Sequence, residues 1–498
     1  MTTATRRKPK TLATKSTLHD VLIIGAGFAG LGAAIQLRKA GISDITILER
    51  GTAVGGTWRD NQYPGAACDI PSNLYSYSFA PNPDWSRAYS GSREILGYIH
   101  HLVAEYQLEE LIRFGQNVTA MAFDEAAGLW RIETAHGERH AARSVVMAPG
   151  PLSNASLPKM AGIEQFKGQK IHSAKWDHGY DFNGKRVAVI GTGASGVQII
   201  PELVKIADKV TVFQRTPGWV LPRLDFTPGS KLKDLFRYLP VTQKAVREAM
   251  FWIHEAMATG IVWKTPVTPL IERIAKLHLK AQVKDRWLRR QLTPDFTIGC
   301  KRVLMSNDYF RALQAPNAKL ITWPIATLSE QGVRTVEGIE HQVDCIVFAT
   351  GFDVCKSGTP FPITGLGGRQ LNEEWSRGAQ AFKSINVSGY PNLFVTFGPN
   401  SGPGHNSALV YMESQIDYLV QGITMLLRGG YKALDVKPEV QLAHNKGLQK
   451  RLAKTNWNTG CKSWYLTADG FNATMYPGFA TQFAQQMQRF ELADYEVR

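Results

Sequence analysis

Two glycine-rich turns hold the clearest chemistry in this sequence. Gly25-Ala26-Gly27-Phe28-Ala29-Gly30 and Gly191-Thr192-Gly193-Ala194-Ser195-Gly196 both read G-x-G-x-x-G. In such a turn the first Gly allows a tight bend, the second lets a pyrophosphate approach the backbone, and the third lets helix and strand pack closely. Free N–H groups at the helix start then meet the phosphates. Glu49 stands nineteen residues after Gly30, where a carboxylate accepts from ribose hydroxyls and repels a 2′-phosphate. Arg215 stands at the same distance after Gly196, where a guanidinium forks onto a phosphate. One acidic and one basic ribose site predict FAD at the first turn and NADPH at the second, a pair that exchanges a hydride. The five cysteines, Cys68, Cys300, Cys345, Cys355 and Cys461, contain no C-x-x-C. A dithiol electron acceptor is therefore excluded, and the reduced flavin passes its electrons elsewhere, with oxygen the obvious recipient.

These turns need strands and helices to hold them. Residues 20–24 are a short apolar run before the first turn, residues 31–40 carry helical spacing, and residues 45–49 form a second buried run, which together make a βαβ unit. The same grammar returns at 186–190, through about 206, and at 210–214. Residues 90–114 read as helical, with strand-like runs near 118–123, 130–134 and 144–147, another buried strand at 345–349, and helices near 407–428 and 479–492. Residues 225–290 are rich in Lys, Arg, Leu, Ala and Trp at helical spacing, and are expected to form a helical insertion with Trp252, Trp263 and Trp287 in its core. The fold class is therefore α/β, with two dinucleotide-binding, Rossmann-like domains, the second inserted in the first, plus a helical insertion. The expected boundaries are a disordered basic tail at 1–19, the FAD domain at 20–155 and 340–498, the NADPH domain at 156–224 and 291–339, and the insertion at 225–290.

Composition narrows the rest. The 498 residues are 44% hydrophobic and 20% charged, an ordinary globular balance. The net charge of +15 invites nucleic acid or an anionic membrane as partner, but no nucleic-acid-binding signature is present and no apolar run is long enough to span a bilayer. Few cysteines at scattered spacing predict no disulfide framework and no structural zinc, hence a reduced, cytoplasmic chain.

The segment before the second turn, Phe166-Lys-Gly168-Gln-Lys-Ile-His172-Ser-Ala-Lys-Trp176-Asp177, resembles the F-x-G-x-x-x-H-x-x-x-W-(P/D) fingerprint of type I Baeyer–Villiger monooxygenases. Gly55-Gly56-Thr57-Trp58 with Tyr63-Pro64-Gly65 and Asp69 is similar to a second signature of that family. Lys301-Arg302, Gln214-Arg215-Thr216-Pro217 and Ser463-Trp464 also fall at family positions, and the resemblance spans about residues 20–490. The branches it resembles most contain 4-hydroxyacetophenone and phenylacetone monooxygenases.

The resemblance implies that NADPH reduces FAD and that oxygen then forms a C4a-peroxyflavin. This attacks a ketone (or an aldehyde) and inserts one oxygen to give an ester or lactone. It implies Arg302 as the group that stabilises negative charge in that reaction, with Asp69 holding it. It implies that Lys301, Arg215 and Thr216 grip the 2′-phosphate, that Trp464 touches the NADP ribose, and that Trp58 and Tyr75 lie near the flavin. Val118 joins the cofactor-binding set, alongside Gly56, Thr57, Thr192 and Ser195. Phe166, Gly168, His172, Trp176 and Asp177 form a linker fingerprint expected to orient the joint between domains rather than to act as a base. Cys68 is expected to pack as an apolar residue, and Gly404-His405-Asn406 to open a helix near the flavin. The competing chemistries are heteroatom oxygenation of amines or sulfides and uncoupled NADPH oxidation. Oligomeric state, the identity of the ketone and regioselectivity stay open.

Overall fold

The computed structural model of the chain describes residues 17–152, 154–352, 359–461, 463–467 and 469–498. The apolar run ending at Ile24 forms the strand Thr17–Ile24, flanked in parallel by Ile45–Leu48 and Arg139–Met147. Val21, Leu22 and Ile23 are fully buried, because a central parallel strand is covered on both faces. The strand starts earlier than expected. Thr17, Leu18 and His19 pair with residues 140–142, so these three residues belong to the sheet and not to a tail. The remainder of the expected tail, residues 1–16, lies outside the described residues.

The first sheet has eight strands. Its order is Ile363–Thr364, Val118–Asp124, Leu129–Thr134, Arg139–Met147, Thr17–Ile24, Ile45–Leu48 and Ile112–Arg113, with Leu393–Val395 also paired to Arg139–Met147. The helix Phe28–Lys39 follows the first glycine turn and packs against the long helix Ala408–Arg428. Small residues on the first helix permit that approach: a methyl at Gly32 would lie 2.8 Å from Cδ1 of Ile416 on the long helix.

The second sheet has five parallel strands in the order Ala318–Ile321, Lys209–Phe213, Arg186–Ile190, Cys345–Phe348 and Gln169–His172. Cys345–Phe348 thus sits inside the second unit, which corrects the expected return to the first unit at residue 340. A four-residue buried strand looks the same in either sheet, and only its partners decide. Ile363–Thr364 and Leu393–Val395 do return to the first sheet, so the second unit is inserted in the first.

Residues 225–290 form four helices, Ser230–Tyr238, Pro240–Ile261, Val267–Gln282 and Arg286–Gln291. The expected place of its tryptophans needs correction. Trp263 packs on Phe479 with ring centroids 4.9 Å apart, but Trp252 is 60% and Trp287 64% exposed. The helix Pro438–Leu452, whose charged face hides its period, was not anticipated. Among the described residues, no helix is long and apolar enough to cross a membrane.

Candidate active site

At the first turn the three glycines meet different demands. Gly25 has φ +110°, and a methyl there would lie 2.4 Å from the Ala148 carbonyl oxygen; one at Gly30 would lie 1.9 Å from that of Gly25. Both are required by the protein's own packing. A methyl at Gly27 would meet nothing closer than Gly56 Cα at 3.7 Å, so the open side of that glycine suits an approaching ligand. Phe28, Ala29 and Trp58 are buried, and Trp58 Nε1 donates to Tyr75 Oη at 3.1 Å. Phe28 meets Tyr75 edge-on. Gly56 precedes the short helix Thr57–Asp60, and Val118 is buried at the start of its strand.

Glu49 is buried, and sequence reasoning missed its partners. Its Oε2 accepts from Ala26 N–H at 2.9 Å, and its Oε1 accepts from Gly51 N–H at 2.7 Å and Arg59 Nη1 at 2.8 Å. Arg59 lies ten residues away in the Trp58 signature, a separation that local periodicity does not flag. The carboxylate is thereby fixed at the mouth of the turn, with acceptor capacity left on Oε2.

The second turn repeats the pattern. Gly191 has φ +107°, a methyl on it would lie 2.4 Å from the Ala349 carbonyl oxygen, and one on Gly196 would lie 2.2 Å from that of Gly191. Around Gly193 there is nothing within 4 Å. The Thr192 side chain lies beside the buried Tyr309 hydroxyl, and that of Ser195 beside the hydroxyl of Tyr63. Arg215 is exposed just past the strand Lys209–Phe213, followed by half-buried Thr216. Lys301 lies over the Phe296 ring at 4.8 Å. Its pKa is lowered first by burial and then by repulsion from Arg215, so the two cations are neighbours. The Asp295 carboxylate opposes this in part by favouring the charged form of Lys301.

Arg302 and Asp69 come from segments 233 residues apart and meet in a two-pronged pair. Nε donates to Oδ2 at 2.9 Å and Nη2 to Oδ1 at 2.8 Å. Burial alone would raise the Asp69 pKa, but the charge and hydrogen bonds of Arg302 bring it below the usual carboxylate range. Asp69 in turn holds the guanidinium firmly protonated, against the pull of burial. Arg223, unforeseen, contributes a second positive charge to Asp69 and lies over the Tyr89 ring at 5.0 Å. Tyr465 is buried beside Arg302, and its phenol is pushed up to about 12, first by burial. It meets the half-exposed Trp464 at 4.5 Å between ring centroids. Cys68 is free and buried, as expected of a packed apolar residue.

The two nucleotide units touch here. Tyr63 Oη donates to Gln198 Oε1 at 3.0 Å, and Gln198 Nε2 donates to the Ala67 carbonyl at 3.0 Å. Gln198 lies on the helix Ala194–Val204 that follows the second turn. The linker fingerprint sits on the edge of the second sheet. Phe166 is buried and a methyl at Gly168 would clash with its ring. His172 Nδ1 accepts from Ala174 N–H at 3.1 Å, Trp176 stacks on Phe182 at 5.3 Å, and Asp177 accepts from Gln169 Nε2 at 3.0 Å. Among the described contacts none joins His172, Trp176 or Asp177 to Arg302 or Asp69.

Two further links were not foreseen. Cys300 and Cys461 form a disulfide, with Cα atoms 6.2 Å apart and 161 residues between them in sequence. This corrects the expectation of cysteines without a disulfide; the pairing is invisible to local spacing because folding alone brings the two loops together. It ties the segment of Lys301 and Arg302 to the segment of Trp464. Glu255, on the insertion helix Pro240–Ile261, accepts from His405 Nε2, Asn406 Nδ2, the backbone N–H groups of Ala480 and Thr481, and Thr481 Oγ1, at 2.9–3.2 Å. Burial opposes its ionisation, but these donors, His405 foremost, bring its pKa down to about 2. His405 and Asn406 precede the helix Ala408–Arg428, which is capped by Ser407. The helix start was expected; the anchoring carboxylate was not. The turn after Cys345–Phe348 places the Ala349 carbonyl against Gly191.

Residues 22–228 match a family model described as pyridine nucleotide-disulphide oxidoreductase. A Baeyer-Villiger monooxygenase of Streptomyces coelicolor is 43% identical over 98% of this chain and 94% of its own length. One of Pseudomonas aeruginosa is 41% identical over 96% of this chain and 91% of its own. A solved structure described as oxidized steroid monooxygenase bound to NADP is 29% identical, with a TM-score of 0.86, over 97% of this chain and 99% of that one. With this identity maintained over nearly the whole length, and with two nucleotide turns and a half-buried arginine–carboxylate pair in one chain, the chain belongs to the Baeyer–Villiger monooxygenase family.

Proposed function

We propose that this chain is an FAD- and NADPH-dependent monooxygenase that inserts one oxygen atom beside a ketone carbonyl. The balance is ketone, O2, NADPH and a proton giving ester or lactone, water and NADP⁺. Bound FAD supplies the redox chemistry: it takes a hydride from NADPH and activates oxygen. The residues present fit these groups. Gly25, Gly27 and Gly30 would hold the FAD pyrophosphate on the helix Phe28–Lys39, and Glu49 would accept from its ribose. Gly191, Gly193 and Gly196 would hold that of NADPH. Arg215, Lys301 and Thr216 would bind the 2′-phosphate, because two cations close enough to repel one another favour an anion between them.

The observation that carries the reading is the Arg302–Asp69 pair. Asp69 occupies Nε and one N–H of Nη2, so three of the five guanidinium N–H groups remain for other acceptors. A fixed cation with free donors stabilises negative charge that develops on substrate oxygen, because it needs no reorganisation when the charge appears. Asp69 acts as the positioning residue, fixing both the plane and the charge of the guanidinium. Trp58, Tyr75 and Phe28 would wall the flavin side. The part-buried Tyr63–Gln198–Ala67 seam would keep the two cofactors in register. The ketone comes from solution or a lipid phase as a small molecule; nothing in the reading calls for nucleic acid.

The test is a panel of ketones given with NADPH to the purified flavoprotein, with esters and lactones identified by mass and hydrogen peroxide measured in parallel. Ester formation is expected. Peroxide alone would leave an NADPH oxidase, and a thioether oxidised while no ketone reacts would leave a heteroatom oxygenase.

A further inference from the structure

The helical insertion leaves an apolar stripe facing outward on two of its helices. On Pro240–Ile261, Val241, Ala245, Trp252, Ile253 and Ala256 are all exposed, and at 100° per residue they fall within about a third of the helix circumference. The inward face of the same helix buries Ala258 and Ile261 together with Gln243 and Glu255, so the outer stripe is a second apolar face. Folding of this chain therefore does not account for the outer stripe. The next helix, Val267–Gln282, does the same: Val267, Leu270, Ile274 and Leu277 are 37–57% exposed, at the three- and four-residue spacing of a single seam. Trp287 and Tyr238, on the flanking helices, are 64% and 82% exposed.

Charge accompanies this surface. Residues 225–290 contain thirteen Lys and Arg against six Asp and Glu, so about half of the protein's net +15 lies in this short segment. Five of those acids are used internally. Asp234 pairs with Arg237, and Asp285 accepts from Leu288 N–H. Glu255 binds the Ala480 and Thr481 backbone, Asp225 pairs with Arg87, and Glu272 accepts from Ile298 N–H. Among the bases, Arg237 also meets Asp84 and Arg247 meets Glu413. Arg273, Lys276 and Lys280 are exposed along one side of the Leu270 seam.

We propose that this face docks on an anionic lipid bilayer. Exposed tryptophan and tyrosine beside an aliphatic stripe suit the boundary between headgroups and acyl chains. The surrounding lysines and arginines are complementary to anionic headgroups. A second copy of the chain would set this positive surface against its own like, which opposes association. The proposal concerns attachment in the interface plane, not a span, and it stands independently of the oxygenation chemistry.

The experiment is flotation of the flavoprotein with vesicles of phosphatidylcholine and phosphatidylglycerol in equal parts, against phosphatidylcholine alone, at low and high salt. Binding is expected with the anionic vesicles, weakened by salt. Lys276→Glu with Lys280→Glu should weaken it by about tenfold or more, since each lysine near such a surface adds appreciable attraction. A Trp252→Ser, Leu270→Ser, Ile274→Ser variant should lose binding as well. Both variants should turn over a water-soluble ketone at the wild-type rate, which shows that they remain folded. Failure of the wild-type protein to float with anionic vesicles overturns the proposal. So does a wild-type dimer in solution that the triple variant dissociates, because a second copy would then own this face.

Discussion

Replacing Arg302 by lysine keeps a positive charge and removes the fork. The structure shows what is lost. Arg302 uses Nε and Nη2 together on the two oxygens of Asp69, and the same rigid plane presents the remaining N–H groups at a set angle. A lysine ammonium reaches one oxygen of Asp69 and presents no second donor plane. Removal of one preorganised donor from a site of developing negative charge costs about 2.7–4 kcal/mol, or about 100- to 1000-fold in rate. The expected result is that fall in the rate of ester formation. The anaerobic rate of flavin reduction by NADPH should stay near wild type, because Arg302 has no part in hydride transfer. Stopped-flow absorbance measures reduction; mass detection of ester and a peroxide assay measure the fate of oxygen. NADPH consumption should continue with peroxide in place of ester. Ester formation at the wild-type rate would refute the argument, and so would an equal loss in both half-reactions, which would assign Arg302 to folding or to NADPH binding.

Three further outcomes are expected. Arg215→Ala should raise the KM for NADPH by about 10- to 150-fold, the loss of a charge-assisted bond of about 1.5–3 kcal/mol, and leave the KM for NADH almost unchanged; parallel changes would place the phosphate elsewhere. Glu255 has a folded pKa of about 2, below its ordinary 4.5, so its stabilisation is present above about pH 4.5 and is lost as pH falls toward 2. Glu255→Gln should therefore cost about 3 kcal/mol at pH 7, and the Tm gap to wild type should narrow as pH falls from about 4.5 toward 2; a gap that does not change with pH would show that the carboxylate's charge is immaterial. Cys461→Ser releases the link between the Arg302 and Trp464 segments. It should lower thermal stability, by about 2–4 kcal/mol if the tether acts as disulfides usually do, and raise the KM for NADPH more than it lowers kcat. An unchanged KM would separate the tether from cofactor binding.

Much of this site is legible in the residues alone, for a physical reason. A pyrophosphate needs three glycines at fixed spacing between a strand and a helix, and Gly25, Gly27 and Gly30 satisfy that need within six residues. Glu49 and Arg215 follow at the end of the next strand, and in the proposed reading their opposite signs assign the two riboses. Each of these is a local requirement, met by neighbours along the chain. The pairing of Asp69 with Arg302 followed from family signatures; no rule of spacing connects residues 233 apart.

What tertiary structure alone decided is every contact made between distant segments. Arg59 closing on Glu49, Arg223 reaching Asp69, Glu255 gathering His405, Asn406 and Thr481, and Cys300 meeting Cys461 leave no trace in periodicity. The strand Cys345–Phe348 carries no mark of which sheet receives it, because both sheets bury such strands alike. The tryptophans of the insertion look like core by composition, yet Trp252 and Trp287 face outward, since a helix with two apolar faces can bury only the one its neighbours cover. Local chemistry is written along the chain at the scale of a turn, whereas the choice of partner across a hundred residues or more is made when the chain closes upon itself.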